Sequence, residues 1–393
     1  MTASAPPDRL RAVTFKATNE LADAVRGMAA AGLDPISLAT ARPDFDTPAI
    51  IKQALIEAVK VPHTYMTYSE SRGLIELRQA VATKLAERND VVYDPDTDIL
   101  ITAGTHEALF TGLQALVQAG DEVLVLDPSW TAYSGMVRLA GATPVMVPLQ
   151  AGRLDADELR SRITGRSKAL VISNPGNPTG TVLQASELQA IAGLAIQHNL
   201  LALVDEIYEE FVYDGNEHIS LASLPGMQER TLLINGYSKA YAMTGWRVGY
   251  GAGPTWLIQR MLMIHQHLIS APTSFAQKGA VVAYSHATEH VQQMVAQYRL
   301  RRDTLKPLLD QVPGVTAPLP EGACFYFMKV DSPFSSQELS RHLASTAALL
   351  LTPGSAFGPN GEGHLRLSFA ALPLSRIPEV IHRLSGVMSQ FHS

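Results

Sequence analysis

The run Asn235-Gly-Tyr-Ser-Lys-Ala-Tyr-Ala-Met-Thr-Gly-Trp-Arg-Val-Gly-Tyr250 leaves an apolar, strand-like segment, Thr231-Leu-Leu-Ile-Asn235. It runs into a glycine-rich patch, Gly249-Tyr-Gly-Ala-Gly-Pro254. A lysine set on a short turn behind a buried strand has the stiff support that a covalent nucleophile requires. Arg247 follows Lys239 in the same segment, and its planar, permanently charged fork suits a phosphate. Taken alone, the pair is equally consistent with two solvated side chains flanking a loop, because charged residues are mostly exposed.

Outward from this run the pattern is one of repeated strand–turn–helix units. Asp98–Thr102, Glu122–Leu126, Ala142–Val147, Ala169–Ser173 and Leu200–Val204 read as strands, with helices over Glu107–Ala119 and Gln184–His198. Such alternation predicts an α/β fold with a large, mainly parallel sheet covered by helices on both faces. Beyond the lysine segment, Leu257–His267 and most of Val281–Asp310 read as helical, and Arg299, Arg301 and Arg302 as a solvated helix face. Short strands and helices then alternate as a smaller α+β domain, among them His364–Phe369 with its period of two. Ahead of residue 98 the expectation is a short disordered arm, a helix over 14–31, a strand at Ile36–Thr40, and helices over Ala49–Val59 and Leu74–Asn89.

At 393 residues the chain exceeds one ordinary core, and 46% hydrophobic with 17% charged residues describe a globular enzyme. A net charge of −6 provides no basic field for nucleic acid and no polybasic patch for a membrane. No apolar run is long enough to span a bilayer, and the first residues lack a secretory signal. The single cysteine, Cys324, forms no intrachain disulfide and reads as a small buried hydrophobe. The expected location is the cytoplasm.

Several strand ends carry chemistry. Ala103-Gly-Thr-His106 feeds a helix N-terminus, a ready anion site, though any strand–turn–helix has this form. Trp130, after a strand, can stack on a flat ring or simply fill the core. Asp205 ends a buried strand, where a carboxylate is costly unless paired; a pyridinium nitrogen or a helix N-terminus would pair it. Arg366 stands among apolar neighbours, either as an exposed edge residue or as a carboxylate ligand.

Four stretches appear in order: Asn174-Pro-Gly-Asn-Pro-Thr-Gly180, Asp205-Glu-Ile-Tyr208, Ser238–Tyr250 and Leu365-Arg-Leu-Ser368. Together they resemble the pyridoxal-phosphate-dependent aminotransferases of class I/II (fold type I, the aspartate aminotransferase superfamily), with matches from about residue 34 to 370. The resemblance implies a large cofactor domain over 47–285, a small domain over 286–393, and residues 1–46 as an arm and part of the small domain. It makes Lys239 the cofactor lysine, Asp205 the partner of the ring nitrogen, and Tyr208 and Asn177 those of the ring hydroxyl. Gly104, Thr105, His106, Ser238 and Arg247 fall on the phosphate, Trp130 on the ring, and Arg366 on the substrate carboxylate beside Asn177, Trp130 and Ala41. Tyr68 would reach the neighbouring active site of a homodimer, and Ser270–Ser274 resembles interface sequence.

The activity implied is transfer of an amino group from an L-amino acid to a 2-oxo acid by a ping-pong mechanism. The same fold also supports lyases and amino-acid oxidases and, remotely, a non-catalytic cofactor sensor. No metal ligand set is assigned. Three departures from the family pattern stand out: Ala41 where relatives have glycine, Arg42 where many have glutamate, and Gly236 where many have a phosphate-binding Ser or Thr. Arg42 and His106 are the two cations available for a substrate side chain, and neutral and dicarboxylic amino acids both stay open.

Overall fold

The computed structural model describes residues 10, 13, 25–30 and 32–392. Strand β1 (Ile36–Ser37) precedes β2 (Ile99–Thr102), β3 (Glu122–Asp127), β4 (Thr143–Pro148), β5 (Ser167–Ser173), β6 (Leu201–Asp205), β7 (Thr231–Gly236) and β8 (Gly249–Ala252). The last seven form one sheet in the order β2-β8-β7-β6-β5-β3-β4. Pairings β3–β4, β3–β5, β5–β6 and β6–β7 are parallel, whereas β8 runs antiparallel to β2 and β7. The continuous apolar runs of β2 and β3 are buried at every position, as strands covered on both faces must be.

The glycine-rich patch is thus a strand and not a loop. Gly249, Gly251 and Gly253 recur with the period of two that puts alternate residues on one face. A Cβ on Gly249 would sit 2.7 Å from the Thr105 nitrogen, and one on Gly251 would lie 3.1 Å from Met261. The bare face of β8 therefore lets helix Thr105–Leu116 and helix Thr255–Leu268 lie directly on the sheet.

Five further strands follow: β9 (Val315–Thr316), β10 (Phe325–Val330), β11 (Leu349–Leu350), β12 (Thr352–Pro353) and β13 (His364–Ser368). Antiparallel pairing gives a second sheet in the order β12-β13-β10-β9, and β1 pairs in parallel with β11. Helix Ser336–Ala347 starts on a capping box in which Ser335 and Glu338 satisfy each other's backbone amides. It joins helix Ile377–Met388 over one apolar core with the small sheet, through Leu339, Leu343, Val380 and Leu384. No helix among the described residues is long and apolar enough to cross a membrane.

Most of the helix expected over 14–31, and the terminal arm, lie outside the described residues; 25–30 are helical. The 281–310 stretch continues from helix Ser274–Val281 into two more helices, Ala283–His286 and Thr288–Leu309. Its arginines correct the expectation of a solvated face. Arg301 and Arg302 are 7% and 1% exposed. Arg302 pairs with Asp214 and Asp303 and donates to the Pro320 carbonyl, while Arg301 binds Asp44 and the carbonyls of Phe369 and Ala370. Acceptors on both terminal nitrogens of Arg301 and on the whole guanidinium of Arg302 make such burial tolerable, although the Arg301 Nε has no partner.

Candidate active site

At the C-terminal ends of the parallel strands, where open α/β sheets bind ligands, lies a cavity of about 310 Å³. The turns after β2, β3, β5, β6 and β7 deliver Thr105, His106, Trp130, Asn177, Asp205, Tyr208, Ser238 and Lys239 to its wall, and Arg247 and Arg366 complete it.

One end is built for an anion. Gly104 has φ +81°, a conformation that favours glycine, and a Cβ on it would stand 2.5 Å from Nη2 of Arg247, so the guanidinium packs directly over it. Helix Thr105–Leu116 begins there, with its positive dipole end and first-turn amides. Arg247 is itself held by donation to the carbonyls of Thr244 (3.0 Å) and Ala103 (3.3 Å). Gly236, the residue replacing a family Ser or Thr, packs so closely that a Cβ would lie 2.9 Å from both Gly249 Cα and the Val248 carbonyl. The missing hydroxyl is thus a packing requirement at the β7–β8 crossing.

At the cavity floor, Asp205 is 7% exposed. Its Oδ2 accepts from the Tyr133 hydroxyl at 3.1 Å and its Oδ1 from the Ile207 N–H at 3.2 Å. Burial pushes its pKa up to about 6, against the pull of these donors. Glu206 goes elsewhere, because successive residues leaving a strand point to opposite sides. Its carboxylate accepts from Ser220 (2.7 Å) and Asn89 (3.1 Å), with His218 Nε2 at 3.3 Å. Glu206, Glu209 and His218 are close enough to share an ion. The Lys84 ammonium already pairs with Glu209 there, and Asn89 and Asn235 donate to the same carboxylate.

Lys239 reaches in from the turn after β7, and its Nζ donates to the Ala41 carbonyl at 2.6 Å. Burial lowers its pKa to about 8, so about a tenth is neutral amine at pH 7, far more than for an exposed lysine. The Tyr208 ring is 5.8 Å away, its phenol held protonated by burial.

Arg366 lies in mid-sheet and not at an edge, paired in register with Phe327 on β10 and Thr352 on β12. Its guanidinium carbon is 4.5 Å from the Phe325 ring centre and 4.7 Å from that of Phe357. Nη1 donates to Asn177 Oδ1 at 2.8 Å and Nη2 to the Ala39 carbonyl, while the buried Nε has no partner. An aromatic-sandwiched guanidinium with a donor to spare is disposed to receive a carboxylate.

Trp130 lines the cavity with the His106 ring edge-on at 4.4 Å. Arg42 is exposed and not among the described residues that line it. Tyr68 is 90% exposed and stands outside this cavity, in a surface groove of about 470 Å³ shared by residues 65–69 and 271–275. Sequence reasoning missed Tyr133 and Phe357. Tyr133 lies three residues beyond Trp130, but nothing in the spacing separates it from a core tyrosine; Phe357 belongs to no motif.

The family model for aminotransferases of class I and II matches residues 34–384. The aspartate aminotransferase of Pyrococcus abyssi is 38% identical over 389 residues, 98% of each chain. Aromatic-amino-acid aminotransferase 2 of Thermococcus litoralis gives the same identity and coverage. The solved structure of Thermus thermophilus aspartate aminotransferase with maleate superposes with a TM-score of 0.91 at 34% identity, covering 98% of this chain and 100% of that one.

Proposed function

The chain belongs to the aminotransferases of class I and II, enzymes that transfer amino groups, and from that membership we propose that the cavity holds pyridoxal 5'-phosphate and works by a ping-pong mechanism. The residues present fit the group. The glycine-lined anion end under Arg247 suits its phosphate, with Thr105, His106 and Ser238 alongside. Asp205, a buried carboxylate without a cationic partner in hydrogen-bond range, suits a protonated ring nitrogen. Tyr208 and Asn177 would flank the ring hydroxyl, and Trp130 would cover the ring. When bound, the cofactor supplies an aldehyde that condenses with amines and a ring that delocalises the electron pair left at the substrate's Cα.

The chain's own residues do the rest. Arg366 binds the substrate α-carboxylate through its spare Nε and the fork, steadied by Asn177 and the Ala39 carbonyl. This fixes Cα relative to Lys239, which removes the Cα proton with its neutral amine. Burial makes that amine give up its proton more readily than an exposed lysine does. Residues 39–45 form a strap against the lysine, and the Ala41 carbonyl in it accepts from Nζ and holds the ammonium form. Asp205, oriented by Tyr133, keeps a positive charge at the cavity floor.

We assign residues 47–285 to a large domain, 286–393 to a small one and 1–46 to an arm with part of the small domain; the β1–β11 pairing supports the last grouping. A homodimer is proposed, with the exposed Tyr68 entering the neighbouring active site and the 271–275 segment in the interface. The buried lone thiol of Cys324 suits a reducing cytoplasm. The relatives named for aspartate and for aromatic amino acids bracket the donor as a dicarboxylic or aromatic L-amino acid. His106, the candidate side-chain cation that lines the cavity, would meet it.

The observation carrying this reading is the convergence of Lys239, Asp205 and Arg366 on one cavity. Lys239→Ala tests it: pyridoxal phosphate is retained while turnover falls by about a hundredfold or more. Undiminished turnover would overturn it, and ammonia or peroxide without amino transfer would indicate a lyase or an oxidase.

A further inference from the structure

Beneath the anion end of the cavity, and outside its lining, lies a second polar pair. His265 is 0% exposed and Glu107 7% exposed. They come from helix Thr255–Leu268 and from the first turn of helix Thr105–Leu116. His265 Nδ1 lies 2.8 Å from Glu107 Oε1, and the other carboxylate oxygen accepts the Ala103 N–H at 2.5 Å. The carbonyl of the same residue, in the next peptide group, faces the site and accepts from Arg247 Nη2 at 3.3 Å. His265 Nε2 is buried with no partner. A bare buried N–H costs more than a bare lone pair. The proton therefore sits on Nδ1, and the imidazole donates to Glu107.

These contacts form one chain, from His265 through Glu107 and the backbone on both sides of the Ala103 Cα to Arg247, ending over Gly104. We propose that His265 and Glu107 are positioning residues for the phosphate subsite: they fix the Ala103–Gly104 turn, and with it the guanidinium above, without touching the ligand. The proposal rests on reading that end of the cavity as a phosphate site. Buried side chains sharing a hydrogen-bond network locate a group far more sharply than a solvated loop can. A carboxylate left without its imidazole donor would rotate and release the Ala103 amide. The effect is selective, because the chain ends at the anion end and, among the described residues, makes no hydrogen bond to Asp205, Lys239 or Arg366.

The test compares two aldehydes on the full-length chain stripped of cofactor: pyridoxal phosphate, and pyridoxal, which lacks the phosphate. Binding is read from the visible band each develops. In the parent protein the phosphate should tighten binding strongly, and inorganic phosphate should compete. His265→Leu removes the donor and should weaken pyridoxal phosphate by about tenfold, the size of one charge-assisted hydrogen bond, while leaving pyridoxal unchanged. His265→Asn, whose side-chain amide stands near the position of Nδ1, should recover most of the loss. Should His265→Leu not fold, Glu107→Gln takes its place with the same expected selectivity. Equal weakening of both aldehydes, or of neither, would overturn the positioning role. A parent protein that fails to distinguish the two aldehydes, or ignores inorganic phosphate, would instead remove the phosphate-site reading, and this proposal with it.

Discussion

Asp44 and Arg301 meet in a two-pronged ion pair, with Nη1–Oδ1 at 3.0 Å and Nη2–Oδ2 at 2.8 Å. Arg301 belongs to helix Thr288–Leu309. Asp44 belongs to the strap whose Ala39 and Ala41 carbonyls accept from Arg366 and Lys239. Phe45 adds its ring 5.7 Å from that of Tyr298 and 5.5 Å from the Arg301 guanidinium. The strap is thus pinned on both sides of the cavity.

Asp44→Asn keeps the shape and gives up the charge. Because the Arg301 side chain is only 8% exposed and loses its counter-charge, the stability loss should be about 3 kcal/mol. Steady-state kinetics should show KM for the amino donor rising several-fold with kcat changed by less than about twofold, the mark of weakened uniform binding. An equal fall in kcat would mean that the strap acts in the chemical step.

Asp205→Asn should separate stability from function. The folded-state pKa is raised from 3.8 to about 6 by burial. The penalty on the charged carboxylate therefore grows as pH rises through that window and is fully present above it. Replacing it should stabilise the cofactor-free protein above about pH 6 by up to roughly 2–3 kcal/mol, with no gain below about pH 4. Thermal unfolding across pH measures this. The same variant should bind pyridoxal phosphate more weakly; a variant that is less stable without cofactor at high pH contradicts the account.

The Lys239 amine should titrate within reach of physiological pH. Its pKa is lowered from 10.5 to about 8 by burial, and only the neutral amine attacks an aldehyde. The rate at which the cofactor-free protein develops its visible band on adding pyridoxal phosphate should rise with pH and level off, with a midpoint near 8. A midpoint near 10.5 would place the lysine in open solvent.

Gly236→Ser tests whether the family hydroxyl can simply be put back. The new Cβ would press on Gly249 and on the Val248 carbonyl at 2.9 Å. Overpacking of this kind costs roughly 1–3 kcal/mol. A lowered melting temperature with no gain in pyridoxal phosphate affinity is expected. Tighter cofactor binding at unchanged stability would show that the β7–β8 crossing yields.

The strand–turn–helix order was legible because β2, β3, β5, β6 and β7 are short apolar runs ending in turn residues. The same local grammar placed Trp130, Asn177, Asp205 and Lys239 at strand ends, and the structure brings all four to one cavity, with Gly104 against its Arg247. The β8 strand was not legible, since three glycines in six residues weaken any strand signal. Its justification is the pair of helices pressed against it.

By itself the sequence determined the order of the elements and the positions where a charged or aromatic side chain leaves a strand, both set by backbone sterics and hydrophobic periodicity within a few residues. Only the tertiary structure decided which polar groups have partners. Arg299, Arg301 and Arg302 look alike in the chain, yet Arg299 is exposed and the other two are buried. The acceptors for those two, at Asp44, Asp214, Pro320 and Ala370, come from distant stretches. Likewise Tyr133 meets Asp205, and His265 meets Glu107, across sequence separations that no local pattern encodes. Burying a charge or a polar group is tolerable only where folding supplies its partner, and that partner's identity is a property of packing.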